Sequence, residues 1–184
     1  MRITGGSARG QIIKSPQSAA VRPTTDKVRE AIFSMLGALA TNWDRGLDLF
    51  AGSGALGIEA LSRDVGWVDF VDQNSKCCLA IKQNLIKTGF IDKAHVYCCP
   101  VMKATGFLER TYDMVFVDPP YADNSLSTLI PVIARSNFIS ANSVILISHA
   151  SRNILEQQYG SLSRIKEKRY GDTSISIYQK EVIA

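Results

Sequence analysis

The sequence predicts a single α/β domain built on a mostly parallel, doubly wound sheet. Three observations predict it. From Gly46 onward, short apolar runs alternate with segments of helical period. The first of those runs passes into a glycine-rich turn, Gly52-Ser53-Gly54, and then into a helix. The chain has 184 residues, 46% hydrophobic and 21% charged, enough for one buried core and short for two. Apolar strands separated by helices bury both faces of a sheet, which is the habit of parallel strands.

Each element follows in order. Residues 2–15 alternate loosely and carry Gly5, Gly6 and Gly10, as a short hairpin or extended arm would. Arg22-Pro23-Thr24-Thr25-Asp26 opens a helix that Thr or Asp can cap. Val28, Ile32, Phe33, Met35 and Leu36 are its apolar stripe, and it ends over 37–40. Strands are expected at 47–50, 67–71, 95–98, 114–117 and 144–147, and helices at 55–62, 76–87 and 126–134, with a break at Gly89. A further helix is expected at 154–159. Alternating runs at 164–170 and 173–178 meet at Gly171-Asp172, a hairpin turn that adds an antiparallel edge.

No run of 18 or more apolar residues occurs, so no membrane-spanning helix is expected. The start of the chain has no apolar run behind its first charges, so a signal peptide is not expected, and the cytoplasm is the expected location. The four cysteines form two adjacent pairs, Cys77-Cys78 and Cys98-Cys99. Neighbouring side chains point apart, so each pair is a poor clamp, and reduced packing cysteines with no metal are expected.

Net charge is +4, and its placement is informative. The first 30 residues hold Arg2, Arg9, Lys14, Arg22, Lys27 and Arg29 against Asp26 and Glu30, which is the whole excess. A second basic cluster, Arg164, Lys166, Lys168 and Arg169, lies near the C-terminus. Local basic patches bind phosphate backbones because each contact releases a condensed counterion. A solvated basic arm is the plainer alternative. On the first reading, residues 1–20 are an RNA-binding arm, its contacts those six side chains, and 21–184 a catalytic core.

The glycine turn reads Asp48-Leu-Phe50-Ala-Gly52-Ser53-Gly54-Ala-Leu-Gly57-Ile-Glu59. Gly52 and Gly54 let backbone approach a ligand, and Gly57 lets helix and strand pack. Asp72 ends the next strand 20 residues after Gly52, a spacing suited to accepting hydrogen bonds from ribose hydroxyls. The pattern also fits a dinucleotide site. Asp48 separates the two, because a carboxylate inside the strand repels a pyrophosphate and attracts a sulfonium and an α-ammonium. S-adenosylmethionine carries both cations and no phosphate.

The strand at 114–117 delivers Asp118-Pro119-Pro120-Tyr121 to the same sheet edge. An exocyclic amine on a nucleobase is a poor nucleophile, its lone pair delocalised into the ring. Two acceptors that bind its two hydrogens turn that lone pair out of conjugation. The Asp118 carboxylate is one and a main-chain carbonyl, that of Pro119, the other. The prolines fix the backbone so that both converge. Tyr121 offers a flat face on which an extruded base stacks. Rate then comes from alignment and from acceptors aimed at charge developing on nitrogen.

Together these residues resemble the RsmD family, the bacterial 16S ribosomal RNA guanine-N2 methyltransferases, over nearly the whole chain. The resemblance rests on residues 1–10, on Arg22-Pro-Thr-Thr-Asp-Lys-Val-Arg-Glu-Ala-Ile-Phe33, on 48–59, on Tyr112–Tyr121 and on the closing segment 168–178. It implies a Rossmann-like class I methyltransferase sheet, six parallel strands and one antiparallel, with S-adenosylmethionine as cofactor. It implies guanine N2 in the 16S RNA of an assembled or assembling 30S subunit as the target. Action as a monomer is expected. Asp48, Phe50, Gly52, Ser53, Gly54, Asp72, Gln73, Thr24 and Asp118 would hold the cofactor. Relatives place an acidic residue after the third strand to read the adenine amine; Pro100 stands there, which leaves recognition to backbone groups of Val101 and Met102. After the fifth strand many relatives carry Glu where Ser148-His149 stand.

Three competitors remain: an adenine-N6 methyltransferase using the same tetrapeptide, a nicotinamide oxidoreductase using the glycine turn, and a non-catalytic RNA-binding module.

Overall fold

The structure is a computed structural model and describes residues 1–16, 25–39, 43–120 and 125–181. Among the described residues, five α-helices and eight strands follow in chain order: α1 (Asp26–Gly37), β1 (Arg45–Leu49), α2 (Ala55–Ser62), β2 (Trp67–Asp72), α3 (Ser75–Thr88), β3 (Ala94–Cys98), α4 (Val101–Ala104), β4 (Tyr112–Val117), α5 (Leu126–Arg135), β5 (Ile139–Ala150), β6 (Gln158–Tyr159), β7 (Leu162–Tyr170) and β8 (Thr173–Lys180). Strand order is β3-β2-β1-β4-β5-β8-β7-β6. β1 to β5 are mutually parallel, β8 runs against β5, and β7 runs against β8. β7 therefore points the same way as β1 to β5, giving six co-directed strands and one reversed. The two-residue β6, paired against β7, is an addition the sequence did not predict.

Alternation along the strands makes two cores, one per face. Phe70, Met114, Phe116, Leu146, Ile175 and Ile177 meet α1, α2 and α3 on one face. Leu47, Leu49, Val115, Val117, Ile145, Ile147 and Tyr178 meet α4 and α5 on the other. Local signals account for the boundaries. Thr25 caps α1, accepting from the Val28 N–H at 3.3 Å. Asn74 caps α3, and Gly89 ends it in the left-handed region at φ 78°.

Residues 154–157 are not helical, contrary to the expectation of a helix at 154–159. Their polar groups turn to the hairpin instead. The Arg164 N–H donates to the Gln157 carbonyl at 2.9 Å, and the Tyr178 hydroxyl to the Glu156 carbonyl at 2.7 Å. Leu155 is buried, whereas Ile154 is 92% exposed, so no apolar stripe exists to bury.

The N-terminal arm is docked, not free. Ile3, Ala8 and Ile13 are buried in the core on the α1 face. Gly6 sits at φ 74°, and a Cβ there would lie 1.6 Å from the Ser62 carbonyl oxygen. The buried Glu59 accepts from the Thr4 N–H at 2.8 Å, the Thr4 hydroxyl at 2.7 Å and the Gly5 N–H at 2.8 Å. Arg29, predicted as an RNA contact, is corrected here. Its side chain is fully buried, paired with Asp26 at 2.9 Å, 3.6 Å from Glu59, and donating to the Arg2 carbonyl. Helical phase decides this: Arg29 lies three residues before Ile32 on the face α1 turns inward.

Candidate active site

The chain reverses direction across the sheet between β1 and β4, the crevice where ligands of open α/β sheets bind. Asp48 lies within β1, Asp72 ends β2, and Asp118 follows β4 directly. The Asp118 N–H donates to the Leu49 carbonyl at 3.4 Å, joining the two strand ends.

The turn after β1 is held in the left-handed region at Phe50 (φ 61°), Gly52 (58°) and Gly54 (78°). For Phe50 that conformation costs of order 1 kcal/mol, strain of the kind kept at binding sites. A Cβ on Gly57 would lie 2.3 Å from the Phe70 ring, so α2 rests on β2 only because residue 57 has no side chain. Asp48, 1% exposed, accepts the Gly57 N–H at 2.9 Å. Asp72 accepts the Gly52 N–H at 2.8 Å and the Asn74 N–H at 2.8 Å. The Gly54 N–H goes to the Ala51 carbonyl at 2.7 Å. The Gly52, Gly54 and Gly57 amides are thus already bonded within the protein.

Burial pushes the Asp48 carboxyl well above the usual carboxylate range, and the charges of Asp118 and Asp72 push it further, against the Gly57 amide. A cluster of carboxylic groups suits a cationic ligand better than a phosphate.

Ser53 is buried, and its carbonyl accepts from the Asn84 side-chain amide at 2.9 Å. Gln73 is exposed, Val101 buried and Met102 47% exposed. Val101 and Met102 open α4, where backbone N–H groups lack helical partners. The Cys99 N–H donates to the Asp72 carbonyl at 3.1 Å, bringing the end of β3 beside β2. Pro119 is buried and Pro120 exposed. Thr24, Arg22 and Tyr121 lie outside the described residues. Arg2, Arg9, Lys14 and Lys27 are exposed.

Burial raises the thiols of Cys77 and Cys78 to about 11 and about 12, with Asp72 and Cys98 adding to it. Both stay protonated at neutral pH. Among the described residues no group of three or more His, Cys, Asp or Glu side chains is spaced to hold a metal. His149 is buried, one ring nitrogen 3.0 Å from the Ser176 hydroxyl. A cavity of about 480 Å³, lined by Phe33, Trp43, Asp44, Arg63 and Met114, opens at the amino ends of the strands. It is at the opposite sheet edge from Asp118.

Two ordering residues were not anticipated: Asn84, which holds the Ser53 carbonyl of the turn, and Glu59, which holds the N-terminal arm. Each left a trace: Asn84 is an amide within a helix, and Glu59 the only charge in α2.

A family model described as conserved hypothetical protein 95 matches residues 1–179. Among curated relatives, YlbH of Bacillus subtilis, named as a candidate rRNA methyltransferase, is 37% identical over 183 residues, covering 98% of this chain and 99% of that protein. Ribosomal RNA small subunit methyltransferase D of Escherichia coli K12 is 33% identical over 184 residues, covering 98% and 90%. The solved structure of yhhF from Escherichia coli, titled as a candidate methyltransferase, superposes with a TM-score of 0.87 at 30% identity, covering 98% of each chain. The chain belongs to the conserved hypothetical protein 95 family, which is the RsmD family.

Proposed function

We propose that this protein transfers a methyl group from S-adenosylmethionine to the exocyclic N2 amine of a guanine in 16S ribosomal RNA. The observation that carries this reading is the convergence of Asp48, Asp72 and Asp118 on the glycine turn, where Asp72 and Asp48 hold the Gly52 and Gly57 amides. That chemistry suits a cationic, phosphate-free ligand. The names of relatives at 33% and 37% identity supply the RNA class.

When bound, the cofactor supplies an electrophilic methyl on a positively charged sulfur. The residues assigned to hold it are Asp48, Phe50, Gly52, Ser53 and Gly54 at the turn, Asp72 and Gln73 at the ribose, Val101 and Met102 at the adenine, with Thr24 and Asp118 completing the enclosure. Asp118 accepts one amine hydrogen and the Pro119 carbonyl the other. Pro119 and Pro120 keep those acceptors fixed. The Asp118 carboxylate also faces the positive charge that grows on nitrogen. Tyr121 takes the stacking role by its place in the sequence.

The test is nucleoside mass spectrometry after incubation with undermethylated small subunits, free RNA and DNA. N2-methylguanosine from small-subunit RNA is expected. Methylated adenine instead, or tight NAD binding with no response to S-adenosylhomocysteine, overturns the reading. Asp118→Ala is expected to lower kcat on the order of 100-fold or more while cofactor Kd changes little.

A further inference from the structure

We propose that the tip of the β7–β8 hairpin is a phosphate-contact surface, with Lys166 and Lys168 on one face of β7 and Arg169 on the other holding the RNA backbone beside the methyl-transfer site. The proposal rests on the RNA methyltransferase reading and adds where the substrate is gripped.

Strand direction puts this surface on the right edge. β7 runs parallel to β4 and β5, so its carboxyl end lies at the sheet edge that bears Asp118. The register agrees: Ser148, His149 and Ala150 at the end of β5 face Ile175, Ser174 and Thr173, which face Lys168, Arg169 and Tyr170. From β4 to β7 is three inter-strand steps, or about 14 Å at about 4.8 Å each. A base reaching Asp118 would leave its flanking phosphates within reach of long basic side chains.

The charges there are available. Lys166, Lys168 and Arg169 are exposed, and neither lysine has a carboxylate partner among the described residues. Glu167 is engaged by Arg164 at 2.9 Å, and Asp172 is the other acid of the hairpin. Lys168 and Tyr170 share a face, the Lys168 Nζ 5.4 Å from the ring centre. The Tyr170 ring packs against the core, and its buried hydroxyl has no hydrogen-bond partner among the described residues. Arg169 donates through Nε to the Gly171 carbonyl at 2.8 Å, which leaves the outer face of its fork toward solvent.

The arm tip is less well placed. Its turn bonds to Ser62, in the last turn of α2, with the Ser7 N–H 2.7 Å from the Ser62 carbonyl oxygen. α2 starts at the carboxyl end of β1, so Ser62 and the neighbouring Arg9 lie toward the amino ends of the strands. Arg9 and Asp118 are thus at opposite edges. A plainer role for basic residues on β7 is to keep an open strand edge from pairing with other chains, helped by the bulge between Arg164 and Lys166. That role predicts no change in RNA binding when the charges go.

The experiment compares the full-length wild type with the variant Lys166→Gln/Lys168→Gln/Arg169→Gln. Methyl transfer to undermethylated small subunits is measured, along with salt-dependent binding of the free small-subunit RNA. The expected result is a KM for RNA raised at least about tenfold with cofactor Kd unchanged. The slope of log affinity against log salt should shrink by about 2, at about 0.7 per lost single-strand contact. Lys166→Arg/Lys168→Arg should keep wild-type behaviour. A folded triple variant with unchanged KM and slope overturns the proposal, as does one that only aggregates faster. Lys168→Gln alone, expected to lower the slope by part of that amount, serves if the triple variant melts early. Wild-type protein that leaves small-subunit RNA unmethylated fails the functional reading itself, a separate outcome.

Discussion

Gly57 has no room for a side chain, since its Cβ would stand 2.3 Å from the Phe70 ring. Gly57→Ala is expected to cost about 1–3 kcal/mol in a denaturant melt, the usual range for an overpacked core. His149 gives a pH prediction. Burial lowers its pKa below the ordinary 6.5, with Arg164 adding slightly and Glu167 and the Ala150 carbonyl opposing. The unfolded chain then binds a proton that the folded chain refuses. Stability is full above about pH 6.5 and falls as pH drops below it. Denaturant midpoints between pH 5 and 8 should show this slope, and His149→Gln should flatten it. At this scale the sequence was legible where chemistry fixes spacing. Gly52 and Asp72, 20 positions apart, do meet, through a 2.8 Å hydrogen bond, although the spacing had offered that carboxylate to a ribose and not to a turn amide. It was silent where only three-dimensional contact assigns a partner: Arg29 looked like a surface cation and is buried against Asp26 and Glu59.

Among the elements, the arm departs most from expectation. As a detachable basic extension, its removal would leave the core intact. With Ile3 and Ile13 buried and Glu59 relying on Thr4 and Gly5, deletion of residues 1–15 should destabilise the whole domain. Loss of a buried isoleucine side chain costs about 2–5 kcal/mol. The truncated chain is expected to lose at least about 4 kcal/mol, read from its urea midpoint, and to lose cofactor binding as it unfolds. The strands and α2, α3 and α5 were readable because their periods of 2 and 3.6 are strong. The 154–157 segment was not, because its backbone partners lie in β7 and β8, remote in sequence. Gly171-Asp172 announced the hairpin through local turn chemistry, and Gly171 indeed takes φ 61°.

For the molecule as a whole, two cores on one sheet were implied by apolar strands alternating with helices, and the comparisons bear out that fold. A ligand bound only by the folded state should stabilise all of it together. At 100 times its Kd, S-adenosylmethionine would add about 2.7 kcal/mol, a Tm rise of roughly 5–10 °C for a domain of this size. NAD at the same concentration should give none, and scanning calorimetry distinguishes the two. One contact reaches further. The Asn84 side chain accepts the Lys14 N–H at 2.9 Å and donates to the carbonyls of Lys14 and Ser53, each at 2.9 Å. Lys14 and Asn84 are 70 positions apart. On the ribosome residues 1–14 emerge before α2 and α3 and must therefore wait for them before they have a seat. Until then Ile3 and Ile13 stay wetted on the nascent chain, and the segment settles only after helices that are made later than it.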